Sequence, residues 1–127
     1  MGQTIKEQVL DVEFTVTDND STTPNIAMQF KDIAGNDIDH PVCVVCYVSS
    51  DTAGQTLSGD DVTELAIGTD GTLLAEFTAN QIGIFVAESD GDLDVEVTVG
   101  DGDTAYWNVV MPNGEVKTCS TGLYYTS

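Results

Sequence analysis

The chain has 127 residues, a formal charge of −19 and an apolar fraction of 41%. That length closes one core with little left over, and that apolar fraction is too high for an acidic disordered polypeptide, so a single domain over residues 1–127 is expected. Lys6, Lys31 and Lys117 are the only basic residues besides His40, a balance that repels nucleic acid and anionic lipid, so neither is expected as a partner.

The amino terminus "MGQTIKEQVLD" lacks a basic region followed by an apolar one, and no apolar run reaches the ~18 residues of a membrane helix, so no secretion signal or membrane span is expected. The first regular element is "VLDVEFTVTD", where Leu10, Val12, Phe14 and Val16 alternate with Asp11, Glu13, Thr15 and Thr17. Period-two alternation places one set on a buried face and the other in water, which makes a half-buried strand. "IAMQFKD" repeats the pattern with Ile26, Met28 and Phe30. A turn-rich "DIAGNDID" leads to "HPVCVVCYVSS", a strand that begins after Pro41 and gives way to a polar loop from Ser49 to Asp61. "VTELAIG", residues 62–68, fits a short strand or one helical turn.

Beyond residue 70 the punctuation is regular. Asp70-Gly71 precedes "TLLAEFT", Asp90-Gly91 divides "IGIFVAE" from "LDVEVTV", residues 100–103 precede "TAYWNVVM", and Asn113-Gly114 leads into "EVKTCS". Asp-Gly and Asn-Gly supply the positive backbone angles that tight hairpin loops require. The spacing predicts eight or nine antiparallel strands in two packed sheets: an all-β sandwich, immunoglobulin-like as first choice and jelly-roll-like as second.

Cys43 and Cys46 form a Cys-x-x-Cys pair, a spacing used by zinc knuckles and redox sites. In a strand, residues three apart point to opposite faces, so the two sulfurs face away from each other and buried free thiols are expected, with a bond to Cys119 as the alternative. His40 precedes a proline and is expected in a loop, with no nucleophile elbow near it. No catalytic or cofactor-binding residue is assigned, and an enzyme is not expected.

Aspartates cluster in "DNDS", "SDGDLD" and "GDGD", and a structural calcium at Asp92, Asp94, Asp101 and Asp103 is the one cofactor considered, although hairpin chemistry alone explains Asp-Gly. Trp107 shares a strand face with Ala105 and Val109, as a core tryptophan does; a stacking platform with Tyr47, Tyr106, Tyr124 and Tyr125 is the competing reading. In the terminal "GLYYTS", Tyr124 and Tyr125 are candidates for partner contacts, and residues 1–8 and 121–127 for contact arms.

Between about residues 26 and 119, "VCYVSSDTAGQ", "IGTDGTLL", "FVAESDGDLDVEVT" and "TAYWNVVMPNGEV" follow one another in a way that resembles small virion proteins of tailed bacteriophages, the head decoration or cement type with an immunoglobulin-like sandwich. The positions that carry the resemblance are Gly68, Asp70 and Gly71, then Asp90, Gly91 and Asp92, then Trp107 and Pro112, Asn113 and Gly114. The resemblance implies a non-catalytic protein made in the host cytoplasm that binds the major capsid protein on the outer surface of the virion, with a homotrimer as the natural assembly. A virion-exposed receptor- or carbohydrate-binding module, or a tail or connector component, is the alternative. The cysteines and the stronger acidity depart from that pattern.

Overall fold

The computed structural model describes residues 9–17, 23–58, 62–100 and 104–124. The strands run in chain order as β1 (Asp11–Thr17), β2 (Asn25–Lys31), β3 (Cys43–Ser49), β4 (Val62–Ile67), β5 (Thr72–Thr78), β6 (Ile82–Val86), β7 (Asp92–Val99), β8 (Thr104–Val110), β9 (Val116–Thr118) and β10 (Leu123–Tyr124). All strand pairs are antiparallel and they form two sheets, β1-β2-β7-β4 and β10-β8-β3-β6-β5, with β9 also on β8. The fold is the expected β-sandwich, and the two shortest strands, β9 and β10, bring the described total to ten.

The spatial order β1-β2-β7-β4 matches the A-B-E-D sheet of an immunoglobulin domain, and β8 between β3 and β9/β10 matches its C-F-G sheet. The chain departs from the variable-type order in the middle. There β4 is laid in the first sheet before β5 and β6 extend the second one beyond β3. "VTELAIG" is thus a strand: Val62 and Leu65 are buried, and β4 pairs with β7 across one register shift between Val62 and Glu64.

Alternation decides which residues fill the space between the sheets. Ile26, Met28 and Phe30 of β2 and Leu93, Val95, Val97 and Val99 of β7 face Val44, Cys46 and Val48 of β3, Phe85 of β6 and Ala105, Trp107 and Val109 of β8, all buried in one cluster. Trp107 is fully buried. Its ring stands edge-on to Phe85, with centroids 5.7 Å apart and planes at 73°, and its indole N–H donates to Met28 Sδ at 3.2 Å across the sheet interface. A buried indole needs an acceptor, and the thioether meets that need from the opposite sheet.

The cysteine expectation is half corrected. All three described cysteines are free, and Cys46 and Cys119 are buried, but Cys43 is exposed. The alternation that separates the two sulfurs sends Cys46 into the core and Cys43 outward at the start of β3, where no further layer covers it.

Candidate functional site

The turns quoted for the resemblance come together at one end of the sandwich. The segment before β5 binds β7 through Gly68 N–H to Asp94 O at 2.7 Å and Asp94 N–H to Asp70 O at 2.8 Å. The β6–β7 turn closes on itself through Glu88 N–H to Asp92 O and Gly91 N–H to Glu88 O, both 2.9 Å, and Gly91 O accepts from Phe30 N–H at 3.0 Å. Gly71 and Gly91 have φ of +106° and +76°, and a Cβ there would lie 2.5 Å from Leu93 Cδ1 and 2.6 Å from Ile38 O respectively. Glycine is required twice over at both positions: by the left-handed backbone and by the close approach of a neighbour.

This packing crowds carboxylates. Glu88 is held above the usual carboxylate range, first by a hydrogen bond with Asp70 and then by burial and the charges of Asp70, Asp90 and Asp92. Asp92 is raised first by burial, then by the charges of Asp90 and Asp70. Thr69 Oγ1 donates to Asp94 Oδ2 at 2.7 Å, while Asp94 Oδ1 is shielded from solvent with no described hydrogen-bond partner. Of the carboxylates assigned to a calcium ion, Asp92 and Asp94 share a face of β7, and Asp101 and Asp103 lie outside the described residues. Among the described residues no three His, Cys, Asp or Glu side chains are grouped to hold a metal.

Pro112, Asn113 and Gly114 form the β8–β9 hairpin. Met111 N–H donates to Glu115 O at 2.7 Å and Gly114 N–H to Met111 O at 2.8 Å, while Asn113 Oδ1 accepts from Glu115 N–H at 3.0 Å. Beside this hairpin lies an open cleft of about 450 Å³ lined by Leu10, His40, Pro41, Cys43, Pro112 and Asn113 among others. His40 is in the loop before β3, as expected, with Nδ1 3.0 Å from Pro41 O and a solvent-shielded Nε2 that has no described partner.

Trp107 is closed to stacking from outside because both sheets cover it, so a platform for a flat ligand has to do without it. Tyr47 is committed to its own loop, donating to Gly54 O at 2.6 Å. At the carboxyl end Leu123 is fully buried and pairs with Ala105, and Tyr124 pairs with Thr104 through the backbone. Tyr125 and the segment 1–8 lie outside the described residues.

The alternation pattern hides one polar centre. Asn108 follows Trp107 on β8 and so belongs to the outer face, yet it is fully buried. Its Nδ2 donates to Ser49 Oγ at 2.9 Å, Tyr106 O at 3.1 Å and Tyr47 O at 3.3 Å, and its Oδ1 accepts from Thr118 Oγ1 at 2.6 Å. Ser49 Oγ in turn donates to Asp51 O at 2.7 Å, and Asp51 Oδ1 accepts the main-chain N–H of Gln55 at 2.9 Å. The loop after β3 is therefore folded down over Asn108. Gly54, at φ +69°, lies so close that a Cβ would meet Asn108 Oδ1 at 2.6 Å.

The remaining notable surface is β5. Among the described residues it ends the second sheet and pairs only with β6, and Leu74 and Phe77 are 59% and 62% exposed. Comparisons with protein families, with curated proteins and with solved structures give no match.

Proposed function

We propose that this protein is a non-catalytic decoration protein of a tailed-phage head, binding the major capsid protein on the outer surface of the virion, as a homotrimer, and stabilising the shell. The reading rests on the resemblance in the turns, and the observation that carries it is the division of labour between core and surface. Most of the described apolar residues, Trp107 among them, fill one core, and the other positions that carry the resemblance lie at turns, where Gly71, Gly91 and Gly114 have positive φ.

What remains outside is strongly negative. Lys31 is bound to Asp37 at 2.7 Å, and Lys117 lies 3.5 Å from Glu115 and 4.0 Å from Asp11, so both described lysines sit against carboxylates. Such a surface is steered onto a basic one and kept apart from its copies in solution. Repetition over a lattice then turns weak single contacts into firm occupancy, and three-fold points of a shell suit a closed trimer.

The test compares purified particles with and without the protein. Stoichiometric copies on the shell, and genome release at a lower temperature when the protein is missing, are expected. Particles lacking it that match complete ones in thermal and low-salt stability would overturn the reading.

A further inference from the structure

We infer that the outer edge of β5 is a strand-addition site for an extended, basic segment of a partner protein. Two register shifts shape this edge. Leu73 and Ala75 pair with Phe85 and Ile84, and Glu76 and Thr78 pair with Gly83 and Ile82. Two residues on β5 thus oppose one on β6 in each place, and the extra residues are Leu74 and Phe77. A bulge leaves its extra residue out of the ladder and re-aims its side chain. Here both bulges turn a large apolar group into water, on a strand whose residues other than Leu73, Leu74 and Phe77 are two Thr, one Ala and one Glu.

Of the devices that blunt an edge, β5 lacks Pro, Lys and inward charges and has only its two bulges, which leave Leu74 and Phe77 exposed. The other sheet's edge strands, β1 and β4, carry outward carboxylates as β5 does with Glu76, but neither exposes a large apolar side chain as β5 does with Leu74 and Phe77. An added strand would find main-chain donors and acceptors along β5, with Leu74 and Phe77 as anchors for its alternate side chains.

Charge selects the occupant. No Lys or Arg occurs between Lys31 and Lys117, a stretch that contains β4, β5 and β6 entirely. Glu76 lies on the strand, Asp70 just before it, Glu88 just past the Val86 that pairs with Thr72, and Glu64 on β4, which packs beside β5. A second copy of a chain with charge −19 would bring like charges together, whereas lysines or arginines on an incoming strand meet Glu76 along β5 and Asp70 and Glu88 near its start. That the segment belongs to a capsid subunit rests on the function proposed above; the edge itself does not.

The probe is a synthetic peptide of about eight residues in which Lys alternates with Val and Ile, titrated into isotopically labelled protein and followed by amide chemical shifts. Shifts concentrated on residues 72–78 are expected, with binding lost when a central residue of the peptide is Pro and when Glu replaces Lys. The double variant Leu74→Ser, Phe77→Ser should keep the wild-type circular dichroism, since both side chains are already largely exposed, and bind at least about tenfold more weakly. Equal binding of the Pro peptide, or shifts scattered over the acidic surface, would overturn the inference by showing charge attraction alone. On particles, undiminished occupancy by the double variant would remove β5 as the capsid contact, while no binding of the wild-type protein would remove the capsid and leave the peptide result standing.

Discussion

Replacing Asn108 with Asp exchanges one buried amide nitrogen for an oxygen and leaves the shape unchanged. The nitrogen donates to Ser49 Oγ, Tyr106 O and Tyr47 O within 3.3 Å. The two amide hydrogens are shared among these three acceptors, so losing them at about 1 kcal/mol each costs about 2 kcal/mol, and a carboxylate oxygen aimed at two carbonyls adds about 1–2 kcal/mol. Ser49 can turn its hydroxyl toward the new oxygen only by releasing Asp51 O, which gives up one of the bonds that hold the loop.

The carboxyl of Asn108→Asp is therefore held above its unfolded-state value of ~3.9, and the folded state favours the protonated form. The sign follows from linkage. The penalty is full at pH 7 and shrinks as pH falls through the folded value, by at most about 1.4 kcal/mol per pH unit, until the unfolded chain is protonated as well. Urea melts of wild type, Asn108→Asp and Asn108→Ala at about pH 5 and pH 7.5 read this out. Asn108→Ala should lose about 3 kcal/mol at both, and Asn108→Asp more than that at the higher pH only. A gap between Asn108→Asp and wild type that is the same at both values would refute the buried-donor account.

Gly54→Ala should cost about 2 kcal/mol or more in chemical denaturation, and should speed amide hydrogen exchange in residues 50–58, because a methyl group there meets Asn108 and Tyr47 on a left-handed backbone. One thiol, that of Cys43, should react with a disulfide reagent in the native protein, and Cys46 and Cys119 only after unfolding; prompt reaction of all three would contradict the burial of the latter two. Glu88→Gln should raise the melting temperature at neutral pH and low salt. The fold raises Glu88, so its ionised form costs stability above the folded value and the cost fades as pH falls through it. Calorimetry should show the gain shrinking with added salt and at acid pH, and an unchanged melting temperature would show that the acidic turn is relaxed.

Where a strand is regular and covered on one face only, its residues announce it. The buried set on β7 is the alternate set Leu93, Val95, Val97 and Val99, and the glycines that end the neighbouring strands occupy the turns for which they are fitted. The same rule misplaces residues when a second cover arrives. Asn108 is outward by alternation and buried because the loop after β3 lies over it and Thr118 of the neighbouring β9 closes on its side, an arrangement between distant segments that no local pattern encodes. β5 fails differently: "TLLAEFT" is strand-like, but two extra residues in its pairing with β6 depend on that partner's length and twist, not on its own composition. Cys43 shows the limit of alternation in another way. Period two separates its sulfur from that of Cys46, but says nothing about which face has a second layer. The candidate surface was legible only as a charge total, since the edge position of β5 is a property of the topology.

The contact between Trp107 and Met28 gives the molecule an internal optical gauge. Trp107 is the chain's one tryptophan, it sits on β8 of one sheet, and its indole nitrogen rests on the sulfur of β2 in the other. Its emission should be blue-shifted in the native state, and any event that slides or parts the sheets, including a strand added at β5, will register as a change in colour or intensity without a label.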